Sequence, residues 1–362
     1  QQLTYSQFQD QVSQTAGMFQ ALGVRSGDRV CLLLPNCTEF LLCWFGLSLF
    51  GAISVPVNTA YKRQETTFIL NNSEAVALVT HDSLMDVAHG AVQDAPGVQH
   101  KLVVGMDTNL VDGWLSFSHA IGSAKPLSSI PTVSADAISM LVYTSGTTGH
   151  PKGVQVTHKM YVAAGQGFAH WTNATADDRF FTCLPYFHAN VQYYSTMGTL
   201  AAGATLVVVG RFSASRFWDQ VRSAKATVVN FIGMMMPVLS KQPESSSDKE
   251  NTVRLFYGSP AFAPEFLEEF QERFATDIIV GFGMTETCYG SIERIGASRM
   301  ANSSGQARQH PDPSFVNEIR IVDDESQEVP LGTVGEITIK NPVLMLGYWR
   351  NEEQTQLALK DG

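Results

Sequence analysis

The chain has 362 residues, 44% hydrophobic and 16% charged, which allows a large core and two or three domain-sized units. Its formal charge of -10 argues against nonspecific nucleic-acid binding. The five cysteines are odd in number and lack C-x-x-C spacing, which argues against a disulfide framework or a zinc site and suits a reducing, cytoplasmic setting.

Ser6 with Gln9 forms a capping-box pattern ahead of Phe8, Val12, Ala16, Phe19 and Leu22, which recur at helical spacing until Gly23. A strand is expected from Asp28 to Leu34. The apolar run from Phe40 to Val57 is broken by Gly51, Ser54 and Pro56, so it reads as a buried helix followed by a strand from Ala52, and no membrane span is expected. Further buried strands are expected at Val76–Thr80 and Lys101–Val104, the alternation of a mainly parallel sheet covered on both faces. After a Ser/Pro-rich connection from Leu127 to Val133, a strand leads to the stretch Tyr143–Val154. Beyond it a helix is expected from His158 to His170 and a strand from Phe180 to Leu184. A helix through Thr199, strands at Thr205–Val209 and Thr227–Phe231, and a helix near Phe217–Ser223 continue the pattern. Strands at Leu255–Tyr257 and Asp277–Val280 flank a helix whose glutamates (Glu265, Glu268, Glu269, Glu272) form a solvated face. Beyond about residue 290, Glu318–Val322 and Gly335–Ile339 alternate polar and apolar, so this part reads as an antiparallel, barrel-like unit.

The stretch Tyr143–Val154 carries the clearest chemical signal. Gly146, Gly149 and Gly153 free the backbone so that successive N–H groups can turn toward an anion. Thr144, Ser145, Thr147 and Thr148 add hydroxyl donors and Lys152 a compact positive charge. The pattern is not a P-loop, since G-T-T-G-H-P-K-G lacks the spacing and the hydroxyl after lysine. A second polar turn, Gly281-Phe282-Gly283-Met284-Thr285-Glu286-Thr287, follows a strand, where open α/β sheets bind ligands. Phe282 offers a flat face for a purine, Thr285 a hydroxyl for a phosphate oxygen, and Glu286 an oxygen ligand for Mg²⁺. A strand-to-helix turn capped by Thr285 is the plain structural alternative. Cys288 has no activating partner beside it in sequence, so a thiol nucleophile is not expected.

These residues resemble the motifs of the adenylate-forming (ANL) superfamily of acyl- and aryl-CoA ligases, luciferases and peptide-synthetase adenylation domains. The loop from Tyr143, the aromatic-Gly-x-Thr-Glu segment at Phe282, Tyr257-Gly258-Ser259-Pro260-Ala261 as an adenine segment and Pro185-Tyr186-Phe187-His188 as an aromatic-histidine motif carry the likeness. Phe282 departs from the usual tyrosine. The resemblance implies an α/β fold of two stacked αβαβα sheet subdomains, residues 21–183 with the phosphate loop and residues 1–20 with 184–290, plus a small distorted antiparallel β-barrel subdomain over 291–362. It implies that ATP and a small carboxylic acid give an acyl-adenylate and pyrophosphate, with Mg, and that a thiol, most often coenzyme A, takes the acyl group. An amine acceptor, or a nucleotide-binding module without catalysis, are the alternatives. The implied catalytic set is Lys152, Thr285, Glu286 and His188. The implied nucleotide set is Thr144, Ser145, Gly146, Thr147, Thr148, Gly149, Lys152, Gly258, Ser259, Pro260, Gly281, Phe282, Gly283 and Thr285. The acid pocket is assigned to His188, Asn190, Tyr193, Met235, Tyr257 and Gly283, and the metal to Glu286. Tyr186, Phe187, Tyr194, Phe231, Met234 and Met236 add apolar or aromatic character, and no pocket carboxylate is evident for an amino or trimethylammonium group. The family also has an aromatic-x-Thr-Gly-Asp segment, a hinge and a lid domain with a second catalytic lysine. None is in this sequence, so it is expected to act as the large N-terminal domain, binding nucleotide and acid but adenylating slowly.

Overall fold

The computed structural model describes residues 1–108, 110–111, 113–144 and 151–360. The chain divides into two compact units, one of residues 1–158 with 345–361 and the other of residues 159–344.

The first unit opens with helix α1 (Tyr5–Ala21). Its capping box is Thr4 with Gln7, one turn geometry satisfied from both sides, and it lies two residues ahead of the Ser6/Gln9 pair. A seven-stranded sheet follows, built of β1 (Arg29–Leu33), β2 (Ile53–Pro56), β3 (Ala75–His81), β4 (His100–Val104), β5 (Leu115–Ser116), β6 (Ile138–Thr144) and β7 (Lys152–Thr157), in the order β5-β4-β3-β1-β2-β6-β7. All neighbours are parallel except β6 and β7, which pair antiparallel with Thr144 opposite Lys152. Helices α2 (Thr38–Ser48), α3 (Arg63–Asn72), α4 (Met85–Val92) and α5 (Phe117–Ser123) supply the crossovers. The apolar run is thus α2 and β2, as expected. Among the described residues no helix is long and apolar enough to cross a membrane. Residues 1–20 were expected with the other sheet; instead α1 packs on α2, with Phe8 meeting Phe45 edge-on at 5.6 Å and Thr15 filling the space beside Gly46. The apolar positions of α1 (Val12, Ala16, Phe19) are buried there, which fixes its place.

The second unit contains α6 (His158–Trp171), β8 (Arg179–Thr182), a π-helical turn (Val191–Thr196), α7 (Met197–Ala202), β9 (Thr205–Val208), α8 (Ala214–Ala224), β10 (Val228–Ile232), α9 (Met235–Ser240), β11 (Leu255–Ser259), α10 (Pro264–Phe274), β12 (Asp277–Met284), β13 (Thr287–Ile292) and β14 (Gln306–Ala307). Its sheet order is β14-β13-β12-β11-β10-β8-β9, so β8 begins this sheet rather than ending the first. β12 is parallel to β11 through Val280, then turns antiparallel to β13 from Gly281. The Thr285–Glu286 turn is therefore a strand-to-strand connection and not a helix start. Strands β15 (Glu318–Val322) and β16 (Glu336–Lys340) form a separate antiparallel pair, and among the described residues no closed barrel is made. Residues 345–360 leave that region altogether: Tyr348 bridges Val154, and Trp349 N–H donates to the Gly153 carbonyl at 2.7 Å. An open β7 edge satisfies these backbone groups, which local sequence pattern does not encode.

The amino ends of three adjacent strands are tied by one carboxylate. Asp178, 5% exposed just before β8, accepts from Arg254 Nε (2.9 Å) and Nη2 (2.8 Å) before β11, from Thr227 Oγ1 (2.6 Å) before β10, and from Thr175 N (2.9 Å). Burial alone would raise its pKa, but Arg254, Thr227 and Thr175 together hold the carboxyl below its usual range. Arg254→Met strands that charge. Allowing for Arg254's partial exposure, it should cost about 2 kcal/mol, read as a lower urea midpoint at pH 7, with an unchanged midpoint contradicting the role.

Candidate active site

At the opposite ends of these strands the second unit opens a cleft of about 230 Å³. Every strand from β8 to β12 that reaches this edge contributes: Leu184 beyond β8, Ile232 closing β10, Gly258 and Ser259 closing β11, and Gly281–Thr285 from the end of β12. His188, Ala189, Asn190, Tyr193 and Tyr194 complete the wall. The π-helical turn explains how: its wider winding carries Thr196 Oγ1 back to the Val191 carbonyl at 2.9 Å and brings both Tyr193 and Tyr194 to the cleft. π-Helical segments of this kind are frequent at functional sites.

Two glycines are fixed by close approach. A Cβ at Gly258 would lie 2.0 Å from the Phe231 carbonyl oxygen, and one at Gly283 would lie 2.9 Å from the Tyr194 hydroxyl. The first lets β11 close on β10, and the second keeps open a shelf that a side chain would fill. Tyr193 O–H donates to the Thr285 carbonyl at 2.9 Å, and Tyr194 O–H to the Cys288 carbonyl at 3.2 Å, so the wall tyrosines brace the β12–β13 turn. Tyr257 stands edge-on to Tyr194, with ring centroids 5.4 Å apart. His188 stacks obliquely on Phe187 at 4.5 Å, and burial pushes its pKa down, so its ring is neutral near pH 7. No Asp, Glu, Lys or Arg is among the described residues lining the cleft. Cys288 is fully buried and burial raises its thiol pKa, which leaves it inert.

Of the expected site residues, His188, Asn190, Tyr193, Tyr257, Gly258, Ser259, Gly281, Phe282, Gly283 and Thr285 share this cleft. Glu286 follows Thr285 in the turn, and Pro260 follows Ser259. Met235 is buried but is not part of the cleft lining, and Met234 is 65% exposed, because the chain turns at Gly233 after β10. Tyr186, Phe231 and Met236 are core residues. Leu184, Ala189 and Ile232 are wall residues not among those expected, and Met284 lies within the Gly281–Thr287 turn without an assigned task. Thr144 and Lys152 belong to the first unit, paired across β6 and β7. Lys152 Nζ lies 4.4 Å from the Tyr348 ring centroid and donates to Gln354 Oε1 at 3.3 Å. Ser145, Gly146, Thr147, Thr148 and Gly149 lie outside the described residues.

The model of the family described as AMP-binding enzyme matches residues 1–349. The chain belongs to the AMP-binding enzyme family. A crotonobetaine/carnitine–CoA ligase of Escherichia coli O45:K1 is 36% identical over 367 residues, a match that covers 99% of this chain and 69% of that protein. An anthranilate CoA ligase, AuaEII, solved in complex with anthranoyl-AMP, superposes with a TM-score of 0.90 at 26% identity, covering 99% of this chain and 68% of that one. The inhibitor-bound N-terminal domain of FACL13 from Mycobacterium tuberculosis superposes with a TM-score of 0.86 at 26% identity, over 99% of this chain and 87% of that one. Two parallel-dominated seven-stranded sheets with a small antiparallel pair are thus the fold of this AMP-binding enzyme.

The depressed pKa of His188 has a sign. Its contribution to stability is complete above the ordinary value of 6.5 and is lost as pH falls below it, when the unfolded chain takes up a proton that the folded chain resists. Melting temperature should therefore fall between pH 6.5 and 5, and His188→Gln should flatten that slope; an unaltered slope would remove His188 from the account.

Proposed function

We propose that this AMP-binding enzyme joins a carboxylic acid, aryl or acyl, to the thiol of coenzyme A at the expense of ATP. The carboxylate oxygen attacks the α-phosphorus of ATP, the bond to the pyrophosphate leaving group breaks, and an acyl-adenylate forms. The thiolate then attacks the acyl carbonyl and AMP departs. The observation that carries the reading is the gathering of His188, Gly258–Ser259 and Gly281–Thr285 at the carboxyl edge of one parallel sheet, where such sheets take ligands. The relatives, a crotonobetaine/carnitine–CoA ligase and an anthranilate CoA ligase, support an acid-thiol ligase, and the latter's bound anthranoyl-AMP is an acyl-adenylate.

Each residue then has a task. Phe282 and the backbone of Gly258 and Ser259 would hold the adenine, and the shelf left open by Gly283 would admit the adenylate. The Thr285 hydroxyl would bond a phosphate oxygen. Its backbone is held by Tyr193, so the donor is positioned before the ligand arrives. His188, neutral and pressed on Phe187, would border the carboxylate without repelling or neutralising it. Lys152 would hold the triphosphate. Among the described residues no carboxylate pairs with its ammonium: a tyrosine face and an amide oxygen hold it, which orients the charge without cancelling it. Glu286 and phosphate oxygens suit the hard, oxygen-rich coordination of Mg²⁺, which when bound would offset the phosphate charge that repels the incoming carboxylate.

An acid-dependent exchange of labelled pyrophosphate into ATP is the expected signature, and Glu286→Gln should lower it by about 100-fold while leaving the melting temperature close to that of the wild type. Exchange that survives Glu286→Gln contradicts the metal role, and absence of exchange and of CoA consumption with every acid contradicts the function. Gln354→Glu sets a carboxylate beside Lys152 and should raise the KM for ATP about fivefold with kcat little changed. An unchanged KM would separate Lys152 from the phosphates.

A further inference from the structure

Strand β10 reads Val228-Val229-Asn230-Phe231-Ile232, and its one polar residue is 4% exposed. Asn230 Nδ2 donates both to Asn190 Oδ1 at 2.6 Å and to Ser195 Oγ at 2.8 Å, while its own Oδ1 is buried with no partner among the described residues. An orphaned buried carbonyl of this kind is destabilising, and an apolar residue would fill the position without that penalty. A residue that breaks the local pattern at such expense points to function. Asn230 is in register with Tyr257 and two residues before Ile232, both of which line the cleft, so it stands behind the wall that Asn190 forms. The bond from Asn230 occupies Asn190 Oδ1 and so turns the amide. Among the described residues Asn190 Nδ2 makes no hydrogen bond.

We infer that Asn190, positioned by Asn230, reads an uncharged hydrogen-bond acceptor on the tail of the acid, which makes the substrate a neutral-tailed aryl or short acyl acid bearing a ring nitrogen, carbonyl or ether oxygen. The inference rests on the acid-ligase reading and specifies its substrate. Among the described residues the wall around Asn190 holds aromatic and apolar groups and no Asp, Glu, Lys or Arg, so a tail carboxylate would be desolvated there without a counter-charge. A plain hydrocarbon tail of equal shape would leave Nδ2 desolvated and unpaired, which is how such sites reject isosteres.

The test compares isosteric acids on the protein: benzoate against pyridine-3-carboxylate and pyridine-4-carboxylate, and pentanoate against 4-oxopentanoate, by kcat/KM in pyrophosphate exchange. The wild type should favour one acceptor-bearing acid over its hydrocarbon partner by about tenfold. Asn190→Leu and Asn230→Val should each abolish that ratio, whereas a purely structural role would lower both acids together and leave the ratio intact. Asn190→Ser, which keeps a hydroxyl donor, should retain part of it and serves if Asn230→Val fails to fold. Turnover of all these acids without preference, or a preference that survives both substitutions, overturns this inference alone. Failure of every acid to support exchange overturns the ligase reading and this inference with it.

Discussion

A single buried carboxylate orders the second unit. Asp178 gathers the amino ends of β8, β10 and β11 through Thr227 and Arg254, and a buried charge of this kind must be fully satisfied or it unfolds what surrounds it. With those ends tied, the strands run in register to a common far edge, where β11 stops at Ser259, β10 at Ile232 and β8 shortly before Leu184. Polar backbone at that edge has no further strand to pair with and is free to meet a ligand. The clamp and the cleft are two ends of the same elements, so the rigidity of one sets the geometry of the other.

Among the described residues the cleft lining is aromatic and carries no Asp, Glu, Lys or Arg, and that character bears on its chemistry. The acid and the nucleotide of the proposed reaction are both anions, and a wall lined by tyrosines, glycines and an uncharged histidine would neither trap the carboxylate in an ion pair nor add to the repulsion. Positive charge would come from Lys152, which among the described residues is held by a π face and an amide with no carboxylate beside it. In the proposed reaction, binding orients and charge is reserved for the phosphates.

Much of this was legible in the sequence because it is local. The alternation of apolar runs with helical periods gave mainly parallel sheet structure, the family resemblance implied its division into two sheets and the part played by Gly258, and the glycine-framed turn at Gly281 announced a strand end that lines the cleft. What was missed depends on distance along the chain. Residues 346–349 pair with β7 across some two hundred positions, and no local period records such a register. Thr4-x-x-Gln7 and Ser6-x-x-Gln9 are equivalent capping boxes as sequence, and only the packed helix selects the first. Asn190 and Asn230 are 40 residues apart, so the anomaly of an asparagine among the valines of β10 acquires meaning only once the strand and the π-helical turn are adjacent. The methionine run at 234–236 has the composition of a pocket, but the turn at Gly233 sends it elsewhere.

The most direct test of the central claim is a crystal structure with a non-hydrolysable acyl-adenylate mimic, an acyl-sulfamoyl adenosine. The account predicts the adenine beside Gly258, Ser259 and Phe282, the sulfamoyl group at Thr285, and the acyl tail against Asn190, Tyr193 and Tyr257. Ordered binding of the mimic away from the carboxyl edge of the second sheet would contradict it.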